Sequence, residues 1–156
     1  MNWNDFKEKV EKWAEERGIY EHSTPEAQLL KALSELGELA DAVIKNDRED
    51  LCDAIGDVAV CLINYARMAG YETGSPCYDP CDEATTNDLI AACSILIGRH
   101  LEGTKSAQDL VVIMCSLVGI AQRENLFFTE CCESAWHEIK DRKGRMVPGG
   151  AFVKEE

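Results

Sequence analysis

The sequence has no long apolar run and too few basic residues for several broad classes of function. Its longest apolar stretch, Leu110 to Ala121, is too short to span a bilayer and reads as a core helix. The opening residues, MNWNDFKEKVEKW, are charged from the start and hold no apolar signal region, so neither a secretory leader nor a membrane role is expected. Lys and Arg number 16 against 29 Asp and Glu, a net charge of −13. A duplex nucleic-acid binder needs a basic footprint, which this balance denies. A nucleotide substrate stays open, because a metal and a few local cations can offset a triphosphate.

Cysteine is plentiful, at eight residues, but no secretion signal accompanies it. Cys52, Cys61, Cys93, Cys115 and Cys131 lie in apolar helical segments, where a free thiol behaves as a small hydrophobe. Cys77 and Cys81, in SPCYDPCDE, fall on an expected loop, and CxxxC without a second ligand pair is a weak zinc signal. A reduced, cytoplasmic protein is the simplest expectation. At 156 residues the chain has the length of one domain with a sizeable core.

The chain is organised around residues 33–66, LSELGELADAVIKNDREDLCDAIGDVAVCLINYA. Glu35 and Glu38 stand three apart, and Asp53 and Asp57 four apart, spacings that bring side chains to one face of a helix. At period 3.6, Glu35 and Glu38 share a face with Gln28 and Lys31, opposite Leu29, Leu33, Leu36 and Ala40. Asp53 and Asp57 share theirs with Asp50 and Asn64, opposite Leu51, Ile55 and Leu62. For the first helix alone, acids opposite an apolar stripe are ordinarily a solvated face. The second differs, because Asp57 is the sole charge from Ala54 to Ala66. A helix apolar nearly all round is normally buried, and an unpaired carboxylate there is costly. A hard divalent cation shared by Glu35, Glu38, Asp53 and Asp57 resolves that cost, and Mg²⁺ bound by carboxylates is typically completed by substrate phosphates.

These residues carry a resemblance. ExxE, a short gap, then DAIGDVAVCLINYA resembles the MazG-like branch of the all-α NTP pyrophosphatase superfamily, which also holds dimeric dUTPases and dCTP pyrophosphatases. The run AWHEIKDRKGRMVPGGAFVKEE resembles the tail of MazG-like proteins, so the likeness covers residues 1–69 and 125–156. The family signature is ExxE…ExxD, but Ala54 stands three before Asp57; Asp53, four before, is the candidate in its stead. The resemblance implies Mg²⁺-dependent hydrolysis of a nucleoside triphosphate between its α- and β-phosphates, with Mn²⁺ as an alternative metal. Glu35, Glu38, Asp57 and Asp53 would be ligands, and Glu35 or Glu38 a water-orienting base. Lys31 and the basic cluster Lys140, Arg142 and Lys143 would steady phosphate charge, and Asn64 would reach ribose or base. The alternatives are a dUTP- or dCTP-restricted pyrophosphatase, a non-catalytic metal- or nucleotide-binding module, and a plain structural bundle.

The expected architecture is all-α and a single domain over residues 1–156. A first amphipathic helix over 3–17 buries Phe6, Val10 and Trp13. The metal-binding hairpin spans 25–69, with Thr24 as N-cap and Pro25 at the first helical position. Residues 71–86 form a loop, 87–124 a second hairpin, and 129–156 a basic helix and tail that folds over the site or frays. The second hairpin echoes the first: an offset of 60 sets Leu29 on Leu89 and Leu36 on Leu96, and an offset of 59 sets Leu51 on Leu110. Glu35, Glu38, Asp53 and Asp57 then become Ile95, Gly98, Val112 and Ser116. Two such hairpins pack as a four-helix bundle. Single-copy relatives must dimerise to build one, whereas this chain can build it internally, and a homodimer of the whole chain stays open.

Overall fold

Capping residues set most of the helix ends in the computed structural model, which describes residues 1–76, 84–104 and 106–155. Asn2 caps α1 (Trp3–Glu16) by accepting from the Asp5 amide at 3.0 Å. After a short turn of helix, α2 (Ile19–His22), Thr24 caps α3 (Pro25–Lys45) through the Ala27 amide at 3.1 Å, with Pro25 in the first turn as expected. Asn46, left-handed at φ 53°, ends α3, and Asp47 at once caps α4 (Arg48–Ala69). A two-residue link leaves the helices no choice but to run antiparallel. Gly70, at φ 79°, closes α4. Capping boxes open both α5 (Thr86–Leu101), through Thr85 and Asp88, and α6 (Ala107–Arg123), through Ser106 and Asp109.

The end of the chain departs from expectation. The last helix, α7 (Phe128–Ile139), begins after Phe127 with no side-chain cap, and Thr129 lies inside it. It stops short of Lys143. Instead of fraying, the tail forms an antiparallel ribbon of β1 (Gly144–Met146) and β2 (Phe152–Lys154), pairing Arg145 with Val153. Cys77 and Cys81 lie outside the described residues.

The core lies around α4, where every residue from Val58 to Ala66 is buried. The hairpins α3–α4 and α5–α6 meet along α4 and α6 and along α3 and α5, giving the expected four-helix bundle. The other side of α4 is covered by α1 and α7, the expected N- and C-terminal helices. Gly56 permits the approach of α7: a Cβ there would stand 2.3 Å from the Cys131 carbonyl oxygen. Trp3 packs near Phe6 and Phe128, so it is a packing residue. Cys61, Cys93 and Cys131 are buried free thiols, and Cys52 and Cys115 are partly buried ones. At one end, buried His100 joins three helices, bonding the Tyr65 hydroxyl at 3.0 Å and Glu26 at 2.8 Å. No single helix among the described residues is long and apolar enough to cross a membrane.

Candidate active site

The buried stripe of α3 is rotated from the one the sequence implies. Its inward residues are Gln28, Leu29, Ala32, Glu35, Leu36, Leu39 and Ala42. Glu35 is therefore 5% exposed while Leu33, assigned to the apolar side, is 51% exposed. Periodicity fixes which residues share a face, but the neighbouring helix decides which edge of that face is covered.

Glu35, Glu38, Asp53 and Asp57 all line one cavity of about 460 Å³ between α3, α4 and the C-terminal end of α7. Asp41, Asp50 and Glu138 add three carboxylates to these four, against three cations, Lys31, Lys45 and Arg142. That surplus of negative charge, in a partly desolvated place, has a visible consequence. Burial, then the nearby Glu35 and Glu138 carboxylates, push Asp57 up to about 7, although Arg142 and Lys31 pull the other way. Glu35 is ion-paired to Lys31 one turn before it. Burial pulls the Lys31 ammonium down, but the Glu35 carboxylate outweighs this and leaves it above its ordinary value. Asp53 accepts from the Ser134 hydroxyl of α7 at 2.5 Å. Glu38 is exposed and makes no hydrogen bond or ion pair among the described residues. Ala54, where the family signature has Glu, lines the same cavity.

Of the basic cluster, Arg142 alone reaches this cavity; Lys140 and Lys143 do not line it. Arg142 is ion-paired to Glu138, one turn earlier. Its backbone is fixed by Arg17, the residue that follows α1, which donates to the Lys140 and Arg142 carbonyls at 3.3 Å each. Asn64 lies two turns beyond Asp57, outside this cavity, in a smaller one beside it. Sequence reasoning passed over Asp41, though its spacing of three from Glu38 extends the ExxE pattern. It passed over Glu138 as well, four before Arg142. Arg17 and Ser134 carry no local signal, because each acts across more than eighty residues of chain.

The donor set fits a hard divalent cation by its chemistry: carboxylate oxygens only, on two facing helices, with negative charge in excess. Among the described residues no three His, Cys, Asp or Glu side chains stand close enough together to hold a metal ion in their present rotamers. Two of the four candidates are engaged elsewhere, by Lys31 and Ser134.

Comparison with known proteins falls on the same segment. Residues 23–83 match the family model of the MazG nucleotide pyrophosphohydrolase domain. The resemblance read from ExxE and the second acidic helix is borne out there. An 18.2 kDa protein of the rep–hol intergenic region of Haemophilus phage HP1 (strain HP1c1), described as uncharacterized, is 41% identical over 59 residues. That stretch is 38% of this chain and 36% of the phage protein, so the chain spans about a third of the length of the curated relative it matches. No solved structure matches the chain. The matched residues contain both α3 and α4, and with them all four carboxylates and Lys31.

Proposed function

We propose that the chain is a Mg²⁺-dependent nucleoside triphosphate pyrophosphohydrolase, cleaving between the α- and β-phosphates to give the monophosphate and pyrophosphate. The observation that carries this reading is the convergence of Glu35, Glu38, Asp53 and Asp57 on one cavity that also holds Lys31 and Arg142. The MazG match over the same helices supports it. Glu35, Glu38, Asp57 and Asp53 would hold the metal. When bound, Mg²⁺ polarises phosphoryl oxygens and lowers the pKa of water.

The chain's own residues do the rest. Lys31 and Arg142 place positive charge on two sides of the carboxylates, where phosphate oxygens not reached by the metal need donors. Both are held by acidic partners, Glu35 and Glu138, which orient them in the free protein. Glu38, exposed and unpaired within the described residues, is better placed than Glu35 to accept a proton from water, because Glu35 is committed to Lys31. Asp57, pushed up to about 7 by burial and then by the Glu35 and Glu138 carboxylates, gains most from positive charge entering the cavity. The free thiols among the described residues, Cys52, Cys61, Cys93, Cys115, Cys131 and Cys132, suit a reducing, cytoplasmic setting.

Pyrophosphate release from a panel of ribo- and deoxyribonucleoside triphosphates tests this reading, alongside calorimetry with Mg²⁺ and Mn²⁺. Turnover that needs the metal and disappears in Glu38→Gln is the expected result. Metal binding without turnover on any substrate would instead favour a non-catalytic nucleotide-binding module, with Ala54 in place of Glu as its cause.

A further inference from the structure

A serine inside a helix has a nearby acceptor for its hydroxyl, the carbonyl one turn earlier. Ser94 of α5 and Ser116 of α6 use it, donating to the Ile90 and Val112 carbonyls at 2.8 and 2.9 Å. Ser134, in the middle of α7, does not. Its hydroxyl crosses to α4 and donates to Asp53 Oδ1 at 2.5 Å. That length belongs to the charge-assisted class, shorter and stronger than a bond between neutral groups.

The crossing is built into the way the two helices meet. Gly56 has no side chain where α7 passes: a Cβ there would stand 2.3 Å from the Cys131 carbonyl oxygen and 2.6 Å from Ala135 Cβ. One face of α7, at spacings of three and four, then meets one face of α4. Cys131 reaches Cys52, with 3.4 Å between their sulfurs, and Ser134 reaches Asp53. Glu138 and, past the helix end, Arg142 continue the same line into the acidic cavity. A serine side chain is short, so it meets Asp53 only because the two backbones come this close.

Asp53 is the carboxylate that most needs such help. Ala54 occupies the place of the signature Glu. Asp53 stands one residue earlier, about 100° round the helix, with one methylene fewer. Its side-chain torsions leave the carboxylate several directions to point, and a cation site needs one of them. We infer that Ser134 is a positioning residue, which holds Asp53 Oδ1 and leaves Oδ2 for a divalent cation in the acidic cavity. Asp53 Oδ2 makes no hydrogen bond or ion pair among the described residues. The inference rests on the preceding reading, in which Asp53 is a metal ligand. It adds α7, which lies outside residues 23–83, to the helices that build the metal site.

Calorimetric titration of the whole chain with Mg²⁺ and with Mn²⁺, without nucleotide, tests this, with circular dichroism confirming that each variant is folded. Ser134→Ala should raise the metal Kd by about tenfold to a hundredfold, the usual cost of losing a group that orients a metal ligand. Ser134→Thr, which keeps the hydroxyl, should bring the Kd back to within about threefold of wild type. In an Asp53→Ala background, Ser134→Ala should add nothing, because it acts through Asp53 alone. Kinetics should split in the same way. Ser134→Ala should raise the Mg²⁺ concentration needed for half-maximal pyrophosphate release, while KM for the nucleotide at saturating Mg²⁺ changes by less than about twofold. Ser116→Ala, which loses a hydroxyl bonded to its own helix, should leave the metal Kd unchanged. An unchanged Kd in Ser134→Ala overturns the proposal, as does a loss that Thr fails to restore or that persists in full without Asp53. A wild-type chain that binds neither metal overturns the preceding reading and this one together. Equal metal binding by wild type and Ser134→Ala overturns this one alone.

Discussion

The groove between α3 and α4 and the groove between α5 and α6 have nearly the same size, about 460 and 450 Å³, and opposite contents. Glu35 and Asp53 line the first; Ile95 and Val112, at the matching positions, line the second. Asp57 corresponds to Ser116, whose hydroxyl turns back to the Val112 carbonyl at 2.9 Å. Glu38 corresponds to Gly98, which has nothing within 4 Å of a would-be Cβ. Arg99 and Asp109 of the second groove neutralise each other at 2.5 Å. The packing positions behave in the opposite way. Leu29 and Leu89, Leu36 and Leu96, Leu51 and Leu110, and Val58 and Leu117 are all buried. A helical hairpin therefore needs its apolar stripe to fold and leaves its groove free, so acid in the groove is there for something other than folding.

The largest contrast lies in activity. Glu38→Gln and Asp57→Asn should each lower pyrophosphate release by roughly 10²–10³-fold, the scale of losing a general base or a key charge. Ile95→Gln and Val112→Ser, at matching places in the second groove, should change it less than twofold. Equal losses in both sets would erase the division between the grooves.

Next comes packing. Gly56→Val drives a side chain into the Cys131 carbonyl, and urea unfolding should show a loss of roughly 1–3 kcal/mol or more. Its counterpart under the offset of 59 is Cys115, partly buried, where Cys115→Val should cost less than about 1 kcal/mol. The difference arises because a Cβ at Gly56 meets the backbone and Ala135 of α7, whereas position 115 already holds a side chain.

A third contrast is in pH dependence. With Asp57 raised from 3.8 to about 7 in the folded state, the unfolded chain binds fewer protons between those values. Stability of the ion-free protein should fall as pH rises from about 4 to about 7, by on the order of 1–3 kcal/mol. Asp57→Asn should flatten that slope and raise the melting temperature at pH 8 while abolishing activity, and Mg²⁺ should restore wild-type stability there. Calorimetric scans at pH 5 and pH 8, with and without Mg²⁺, check all three. Ser116 does not titrate and supplies no such slope in the second hairpin.

The smallest effect belongs to two glycines that face open space, Gly37 and Gly98. Ala at either position should stabilise the protein by about 0.5–1 kcal/mol through helix propensity alone. A like gain in both hairpins would show that neither glycine is held for packing.

How much of this was legible in the sequence depended on whether the cause was local. Thr24, Pro25 and Gly70 marked helix ends because a cap acts within one turn. The four carboxylates were legible because spacings of three and four fold them to one face whatever the rest of the chain does. The rotation of α3, which buries Glu35 and exposes Leu33, was not, since it depends on how α4 lies against it. The β-ribbon was missed although GRMVPGGAFV alternates around a Pro-Gly-Gly turn, because its strands are only three residues long. Asn64 stood out by helical spacing, but the cavity it lines with Gln28, Trp13 and Phe152 joins four elements that only the fold brings together. Lys140 and Lys143 looked equivalent to Arg142 in composition, yet the end of α7 at Ile139 aims one of the three into the site.

We propose that the acidic groove of α3 and α4 directs cleavage between the α- and β-phosphates. Phosphorus NMR of the products from CTP and from ATP, with Mg²⁺ and then with excess chelator, tests it most directly. Nucleoside monophosphate and pyrophosphate are expected in equal amounts, lost on chelation and lost in Asp57→Asn. Release of orthophosphate with a nucleoside diphosphate, or turnover that survives the chelator, would contradict it.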